Sequence, residues 1–141
     1  MIAIVDYGVG NLFSLVSSLK ALGLAAEVTG DAGCLRAADR IILPGVGAFG
    51  DARRKLDDTG LVPVIREEAE KKPLLGICLG MQLLFDRGFE YGEHPGLGLV
   101  PGQVVDLHQD LTDQTLKVPH MGWHSLQTLR DDPLFRHVRD G

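Results

Sequence analysis

Cysteines and long apolar runs are scarce in this chain of 141 residues. Its two cysteines, Cys34 and Cys78, are too few for a disulfide framework, and neither lies in a CxxC or Cys/His pattern with zinc spacing. No apolar stretch reaches the roughly 18 residues that a membrane span needs. The N-terminal residues MIAIVDYG contain no basic segment of the kind that opens a signal peptide. We therefore expect a reduced, cytoplasmic protein with no membrane segment, no bound metal and no cofactor.

Positive charge is also in deficit, with a net charge of -5 at pH 7. A broad nucleic-acid-binding surface needs clustered Lys and Arg, so the composition argues against nucleic acid as a partner. Apolar residues make up 45% of the chain, which is ordinary for a protein with a buried core. The length fits a single domain over residues 1–141.

Apolar runs and helical patterns alternate along the first half of the chain. The runs, which we predict to be strands, cover residues 2–7, 24–28, 40–45 and 74–78, and the first is predicted to be buried. A helical face begins at Leu12, with Asn11 as its N-cap and Gly23 as its stop. Two helical pieces separated near Thr59 follow the third strand, and another helix begins at Leu79. This alternation predicts an α/β fold, a flavodoxin-like and mostly parallel sheet with helices on both faces.

The composition of the chain changes after Phe89, where Gly and Pro become frequent. Short strands are predicted within residues 98–107 and 116–118, which together would form a β-rich appendage. The end of the chain predicts a loop and one short helical turn. It stops at Asp140 and Gly141, a turn signal that usually leads into another element.

The segment GICLG (residues 76–80) has the spacing of a nucleophile elbow, G-x-Nuc-x-G, with Cys78 as the nucleophile. Such a turn is sharp and strained, so the residues two positions away must be small. The amides of the following helix favour the thiolate, and Leu79 N–H is placed to donate to an oxyanion. Gln82 is four residues on, so it shares a helix face with Cys78. The alternative is an inert, buried thiol.

A second glycine loop, LPGVGAFG (residues 43–50), follows another apolar strand. In a parallel sheet both loops would lie at the carboxyl edge, where ligands gather. Backbone N–H groups of Gly45, Val46 and Gly47 are therefore candidates for the second oxyanion donor. The segment matches neither G-x-G-x-x-G nor a G-K-S/T motif, so a phosphate loop is disfavoured, and an ordinary turn remains the alternative.

Five segments together resemble one family. They are DYGVGNLFS (6–14), LPGVGAFGD (43–51), LLGICLGMQLLF (74–85), GLGLVPG (96–102) and KVPHMGWH (117–124). In this order they resemble the class I, triad-type glutamine amidotransferases. More narrowly, the first and last segments resemble those of the glutaminase subunits of imidazole glycerol phosphate synthase, an enzyme of L-histidine biosynthesis. The resemblance covers nearly all of the chain, from residue 2 to about residue 135.

The resemblance implies a thioester mechanism. A cysteine, here Cys78, attacks the side-chain amide of L-glutamine, ammonia leaves, and water releases glutamate. Leu79 and the loop of Gly45, Val46 and Gly47 would supply the oxyanion donors, and Gln82 would contact the substrate. Ammonia would pass to a cyclase subunit, a (β/α)8 barrel that forms a heterodimer with the glutaminase. The residues that would face this partner are Asn11, Pro119, His120, Met121, Gly122 and Trp123.

The resemblance also implies a His and a Glu, two residues apart, that complete the triad, and this chain lacks them. Of its histidines only His108 has a carboxylate two residues on, and we expect a solvent-facing loop there. His120 lies in the segment that resembles an interface, and His124 stands where the family usually has Asn. We therefore expect a chain that is truncated before the triad His and Glu and has no meaningful glutaminase activity alone.

Three other functions remain open. Another cysteine hydrolase on the same sheet would often have a histidine directly after the nucleophile, where Leu79 stands. A non-catalytic partner or scaffold subunit could retain the fold without the triad. A flavodoxin-like nucleotide module would need a phosphate motif that the loops do not contain.

Overall fold

A computed structural model of the chain describes residues 1–113 and 115–138. These residues form two compact units, one comprising residues 1–106 and the other beginning at residue 107. The first unit is built on a four-stranded sheet in the order β2–β1–β3–β4, in which every neighbouring pair is parallel. The strands are β1 (Ile2–Val5), β2 (Ala26–Thr29), β3 (Arg40–Leu43) and β4 (Leu74–Gly76).

Helices cover both faces of this sheet. On one face, α1 packs its apolar residues against Ile2, Ile4 and Ile42, and on the other the remaining helices surround Val5 and Leu43. The helices of this unit are α1 (Leu12–Ala21), α2 (Ala32–Ala37), α3 (Phe49–Asp58), α4 (Val62–Ala69) and α5 (Leu79–Gln82). The predicted α/β fold, mostly parallel with helices on both faces, is confirmed. The prediction of one domain over residues 1–141 stays a prediction.

The helix boundaries follow local capping chemistry. The Asn11 side chain accepts a hydrogen bond from Ser14 N–H at 3.2 Å, and Gly23 adopts a φ of 70° just beyond the end of α1. Both predicted boundaries are confirmed. The sequence pattern did not predict α2, although Asp31 caps it by accepting from Cys34 N–H at 2.8 Å.

A small second sheet follows α5, in the order β6–β5–β7. Its strands are β5 (Phe85–Gly88), β6 (His94–Pro95) and β7 (Val100–Val104), so a strand within residues 98–107 is confirmed. The helix predicted to begin at Leu79 ends at Gln82, earlier than its apolar pattern indicates. Pairing explains this, because Gly88 lies opposite Val104 and Phe85 opposite Val100.

The second unit contains two short helices among its described residues, α6 (Leu107–Asp110) and a 3₁₀ helix (Pro133–Phe135). The latter confirms the helical turn predicted near the end. His108 lies in α6, so the prediction of a loop there was wrong. The strand predicted at 116–118 was also wrong: no described strand pairs with these residues, which form bends and irregular chain. The turn predicted at Asp140 and Gly141 lies outside the described residues.

Neither membrane nor metal features emerge from the described part of the chain. No helix there combines the length and the apolar character required to cross a bilayer. Within the same residues, no three His, Cys, Asp or Glu side chains converge in a way that could hold a metal ion.

Candidate active site

Cys78 occupies the turn between β4 and α5 in a strained conformation. Its φ is 55° and its ψ is -118°, a region that residues with a side chain rarely adopt. Strain of this kind costs about 1–3 kcal/mol and persists only where surrounding packing enforces it. Cys78 is exposed in this structure, unlike the buried cysteine of the alternative interpretation. The turn therefore presents a nucleophilic atom to solvent at the carboxyl end of β4.

The two flanking glycines are required by close backbone contacts. A Cβ at Gly76 would lie 2.5 Å from the Met81 Cα, inside the same turn. A Cβ at Gly80 would lie 1.9 Å from the carbonyl oxygen of Leu43, at the end of β3. The small residues predicted by the G-x-Nuc-x-G spacing are thus explained by sterics at both positions.

The second glycine loop packs directly against this elbow. A Cβ at Gly45 would lie 2.5 Å from Gly80 N and 2.9 Å from the Leu79 Cβ. Ile77 N–H donates to the carbonyl oxygen of Leu43 at 3.0 Å, which joins the two strand ends just before the loops. The structure therefore brings both predicted loops together at one edge of the sheet.

Several backbone donors near Cys78 are free to bind a ligand. Among the described residues, none accepts a hydrogen bond from Leu79 N–H or from the N–H groups of residues 45–48. Val46 and Gly47 are exposed, and Gly47 adopts a φ of 94° with nothing near its Cβ position. Unpaired amides on two loops beside a thiol can stabilise the oxyanion of an acyl-transfer reaction.

The near end of the loop is held by a tyrosine from the first strand's end. Tyr7 Oη donates to the carbonyl oxygen of Pro44 at 2.6 Å, and both residues are buried. Burial raises the pKa of Tyr7 to about 12, so the hydroxyl remains a donor across the physiological range. Gly10 packs here as well, since a Cβ on it would lie 2.9 Å from the Pro44 Cβ.

The far end of the loop is held by the segment after β5. Phe49 N–H, in the first turn of α3, donates to Glu90 Oε2 at 2.8 Å, and Ala48 provides no side-chain cap of its own. The His94 ring lies over Gly50, where a Cβ would come within 2.6 Å of it. Sequence patterns did not reveal these two contacts or that of Tyr7, because no local pattern signals partners about 40 residues away.

Gln82 stands in the predicted relation to Cys78. Its N–H donates to the Cys78 carbonyl oxygen at 3.1 Å, which is the helical i to i+4 relation, and its side chain is half-buried. However, α5 has a single turn of four residues. Its dipole is therefore weaker than that of the longer helix that the sequence predicts.

Within residues 1–106 the single histidine, His94, does not hydrogen-bond to the Cys78 thiol. His94 belongs to β6 and packs on α3, whereas His120 and His124 belong to the second unit. There the two rings stack with their centroids 4.4 Å apart. The residues predicted to face a partner divide in the same way: Asn11 caps α1, and the exposed Pro119, His120, Met121, Gly122 and Trp123 lie in the second unit.

Three curated proteins with high similarity to this chain bear one name. The subunit HisH of imidazole glycerol phosphate synthase from Sulfurimonas denitrificans is 50% identical over 136 residues, covering 96% of this chain and 65% of the relative. The protein of the same name from Exiguobacterium sibiricum is 49% identical over 97% of this chain and 68% of its own length. The protein of this name from Syntrophotalea carbinolica is 44% identical over 100% of this chain and 70% of its own length. The chain thus spans about two thirds of these relatives.

Two further comparisons concern the fold and the family. A crystal structure of a glutamine amidotransferase superposes with a TM-score of 0.63 at 24% identity, covering 74% of this chain and 56% of that one. This likeness agrees with the parallel sheet and its helices. The family model for class-I glutamine amidotransferases matches residues 3–140. The elbow at Cys78, the glycine loop packed against it and this match over almost the whole chain identify it as a member of the class-I glutamine amidotransferase family.

Proposed function

We propose that this chain carries the nucleophile of a glutaminase that hydrolyses L-glutamine to glutamate and ammonia. The observation that best supports this function is the positive φ of Cys78 at a strand–turn–helix junction, with the thiol exposed. A protein accepts such strain at a nucleophile because the turn lifts the reactive atom clear of the sheet. The free amides of Leu79 and of residues 45–47 are in reach of the same edge.

The proposed reaction uses these groups in two steps. The Cys78 thiolate attacks the amide carbon of glutamine, and the negative charge that develops on oxygen is bound by Leu79 N–H and one N–H from Gly45, Val46 or Gly47. The carbon–nitrogen bond breaks, ammonia leaves with an added proton, and a thioester forms. Water then attacks the thioester, regenerating the thiol and releasing glutamate. Gln82, one helical turn from Cys78, contacts the bound glutamine.

The proposed reaction also needs a general base. Within residues 1–106 no histidine bonds to Cys78, and the chain spans 65% to 70% of the three HisH relatives. We propose that a His and a Glu two residues apart, encoded beyond residue 141, complete the triad. The His would activate the thiol and protonate the leaving ammonia.

The relatives are named as subunits of a synthase, which supports a partner for this chain too. We propose that the partner is the cyclase subunit of imidazole glycerol phosphate synthase, a (β/α)8 barrel that receives the ammonia. The partner-facing residues would be Asn11 and the segment comprising Pro119, His120, Met121, Gly122 and Trp123. Among these, Met121 and Trp123 expose almost all of their side chains, as partner-binding residues do in a free subunit.

Glutamate release from L-glutamine tests the function, measured with the protein encoded by the complete reading frame together with the cyclase. We expect turnover that Cys78→Ser abolishes and that Cys34→Ser, at the other cysteine, leaves unchanged. We also expect that the 141-residue chain alone shows no turnover, because it lacks a base for the thiol. Turnover that survives Cys78→Ser would contradict the proposed nucleophile, and turnover by the 141-residue chain would contradict a base beyond it.

A non-catalytic scaffold subunit is the second candidate, favoured by the absence of a histidine partner for Cys78 within residues 1–106. This function predicts that the complete protein binds the cyclase but releases no glutamate from glutamine. The same assay, combined with a binding measurement, separates the two.

A further inference from the structure

We propose that Tyr7 is a positioning residue for the reaction at Cys78: its hydroxyl fixes the Pro44–Gly45 peptide and so aims the amides of the glycine loop at the oxyanion. This inference rests on the proposed function. Tyr7 contacts neither the thiol nor the substrate in this assignment. It acts through the loop that it holds.

The geometry of a peptide group explains how one hydrogen bond can aim a donor. Tyr7 Oη donates to the Pro44 carbonyl oxygen at 2.6 Å, and that carbonyl shares a planar unit with Gly45 N–H. In a trans peptide the C=O and the N–H point in opposite directions. Holding the oxygen toward Tyr7 therefore turns Gly45 N–H away from it, and sets the direction in which the chain enters Val46.

Burial makes this hydrogen bond difficult to replace. Tyr7 is 4% exposed and Pro44 is buried, so water has little access to the carbonyl. Removing the hydroxyl leaves a buried acceptor unpaired, which is unfavourable. Rotation of the Pro44–Gly45 peptide toward another donor relieves that cost, and it moves the loop amides from their present positions.

Little else restrains the middle of the loop. The N–H groups of residues 45–48 have no acceptor among the described residues, and Gly47 has open space around it. Beyond the loop, Glu90 holds the first turn of α3 through Phe49 N–H. The loop is therefore set mainly from its two ends, and Tyr7 holds the end that packs against Leu79 and Gly80.

Two reactions of the Cys78 thiol can separate an effect on the orientation of the loop amides from an effect on the reactivity of the thiol itself. With p-nitrophenyl acetate, the Cys78 thiolate attacks the acetyl carbon, an oxyanion forms, the ester C–O bond breaks, and p-nitrophenolate leaves as the thioester forms. With iodoacetamide, the thiolate displaces iodide from a saturated carbon and no oxyanion develops. Only the first reaction depends on the loop amides, and neither requires a triad histidine.

The experiment compares Tyr7→Phe with Tyr91→Phe in the protein encoded by the complete reading frame, with Cys34→Ser in every variant. The rate of the matching Cys78→Ser variant is subtracted, so that only the reactions of Cys78 are compared. Both variants lose one phenolic oxygen, but Tyr91 is 90% exposed and serves as the matched control. We expect Tyr7→Phe to slow acylation about tenfold or more, given that a whole oxyanion donor contributes roughly 10²–10³ in rate. Alkylation by iodoacetamide stays unchanged in Tyr7→Phe, and both reactions stay unchanged in Tyr91→Phe.

Two results would overturn the assignment: acylation by Tyr7→Phe at the parent rate, or equal loss of acylation and alkylation. Circular dichroism melting of each variant establishes that it is folded. If Tyr7→Phe does not fold, Gly10→Ala takes its place, because the added Cβ displaces Pro44 with Tyr7 intact. An unchanged ratio of the two rates in Gly10→Ala would then reject the role of the Pro44–Gly45 peptide.

The comparison of acylation and alkylation rates does not depend on whether the protein hydrolyses glutamine. A complete protein without glutaminase activity, whose Tyr7→Phe variant still loses acylation selectively, would refute the proposed function and leave the positioning role intact. Glutaminase activity together with an unchanged ratio of acylation to alkylation rates in Tyr7→Phe would support the proposed function and refute the positioning role.

Discussion

Gly80 is the glycine of the elbow with the closest contact, because a Cβ there would overlap the Leu43 carbonyl oxygen at 1.9 Å. We expect Gly80→Ala to lower the free energy of unfolding by about 1–3 kcal/mol, the cost of overpacking. It should also change the rate at which Cys78 reacts with iodoacetamide, because β3 and the elbow must separate. Urea denaturation and labelling kinetics measure the two effects.

Gly60→Ala is the control for that substitution. Gly60 has a φ of 70° but open space around its Cβ position. It should lose about 1–2 kcal/mol through backbone strain alone, with Cys78 labelling unchanged. Equal labelling rates in both variants would show that Gly80 does not shape the elbow.

Glu68 gives the chain a pH-dependent contribution to stability. Hydrogen bonds from Lys72 and then Lys71 lower the pKa of the Glu68 carboxyl below its ordinary value. A lowered native pKa stabilises the fold above the unfolded value of about 4.3, and this stabilisation disappears as pH falls through the native value. We expect the melting temperature of the parent to exceed that of Glu68→Gln at neutral pH.

The difference should shrink as the pH is lowered below about 4, where the parent carboxyl becomes protonated as well. Calorimetry or circular dichroism at several pH values measures it. A difference in melting temperature that is constant from about pH 3 to pH 7 would contradict the assignment.

At the scale of elements, Lys72 joins the end of α2 to α4. Its ammonium donates to the carbonyl oxygens of Leu35, Arg36 and Ala38 at 3.1, 2.8 and 2.7 Å, and to Glu68 at 2.7 Å. A helix ends with unpaired carbonyls, and here a lysine 34 to 37 residues away satisfies them. Packing of α2 against the sheet therefore depends on this side chain.

Replacing Lys72 tests this connection. We expect Lys72→Met to lower the free energy of unfolding by about 1–3 kcal/mol, because it strands buried carbonyls and a carboxylate. Lys71→Met is the matched control, since Lys71 also bonds to Glu68 but its side chain is 53% exposed, against 12% for Lys72. A surface pair of that kind contributes about 0–1 kcal/mol. Equal losses in urea denaturation would refute the role of the carbonyl contacts.

Local pattern was sufficient to predict some elements and not others. The strands β1, β3 and β4 are apolar runs ended by glycine or proline, so composition alone reveals them. Six-residue α2 is too short to show a helical period, although its cap Asp31 is the usual signal. The residues of β5 follow an apolar run that would fit a longer α5 equally well. Their pairing with β7 makes them a strand.

The same division applies to the site. Cys78, Gly76 and Gly80 lie within five residues, so their spacing carries the information. Tyr7 and Glu90 reach the glycine loop from 37 and 41 residues away, and no local pattern predicts such contacts. Sequence therefore indicated the elbow and its cysteine, whereas the contacts that hold the neighbouring glycine loop became visible only in the folded chain.

At the scale of the whole molecule, the sheet has an unpaired edge. Among the described strands β4 pairs only with β3, and Leu75 is 51% exposed on the face that carries Ile42. Exposed apolar edges promote association between chains, and a lysine on an edge opposes it. We expect the purified 141-residue chain to self-associate as its concentration rises.

Leu75→Lys should reduce that association, as measured by size-exclusion chromatography with light scattering. Leu22→Lys is the control, because Leu22 is also exposed but follows α1, away from the sheet edge. If both variants reduce association equally, general hydrophobicity and not the edge of β4 is responsible.

The loop around Pro44 also ties the reactivity of one thiol to the order in which the chain folds. Tyr7 follows β1, Pro44 follows β3 and Cys78 follows β4, so three strand ends distant in sequence must dock before the loop is set. Contacts between residues far apart in sequence form slowly, because the entropy of closing the loop between them must be paid first. During refolding, the rate of ester acylation of Cys78 should therefore reach its native value later than the rate of alkylation does. The delay between the two rates reports when the three strand ends have docked.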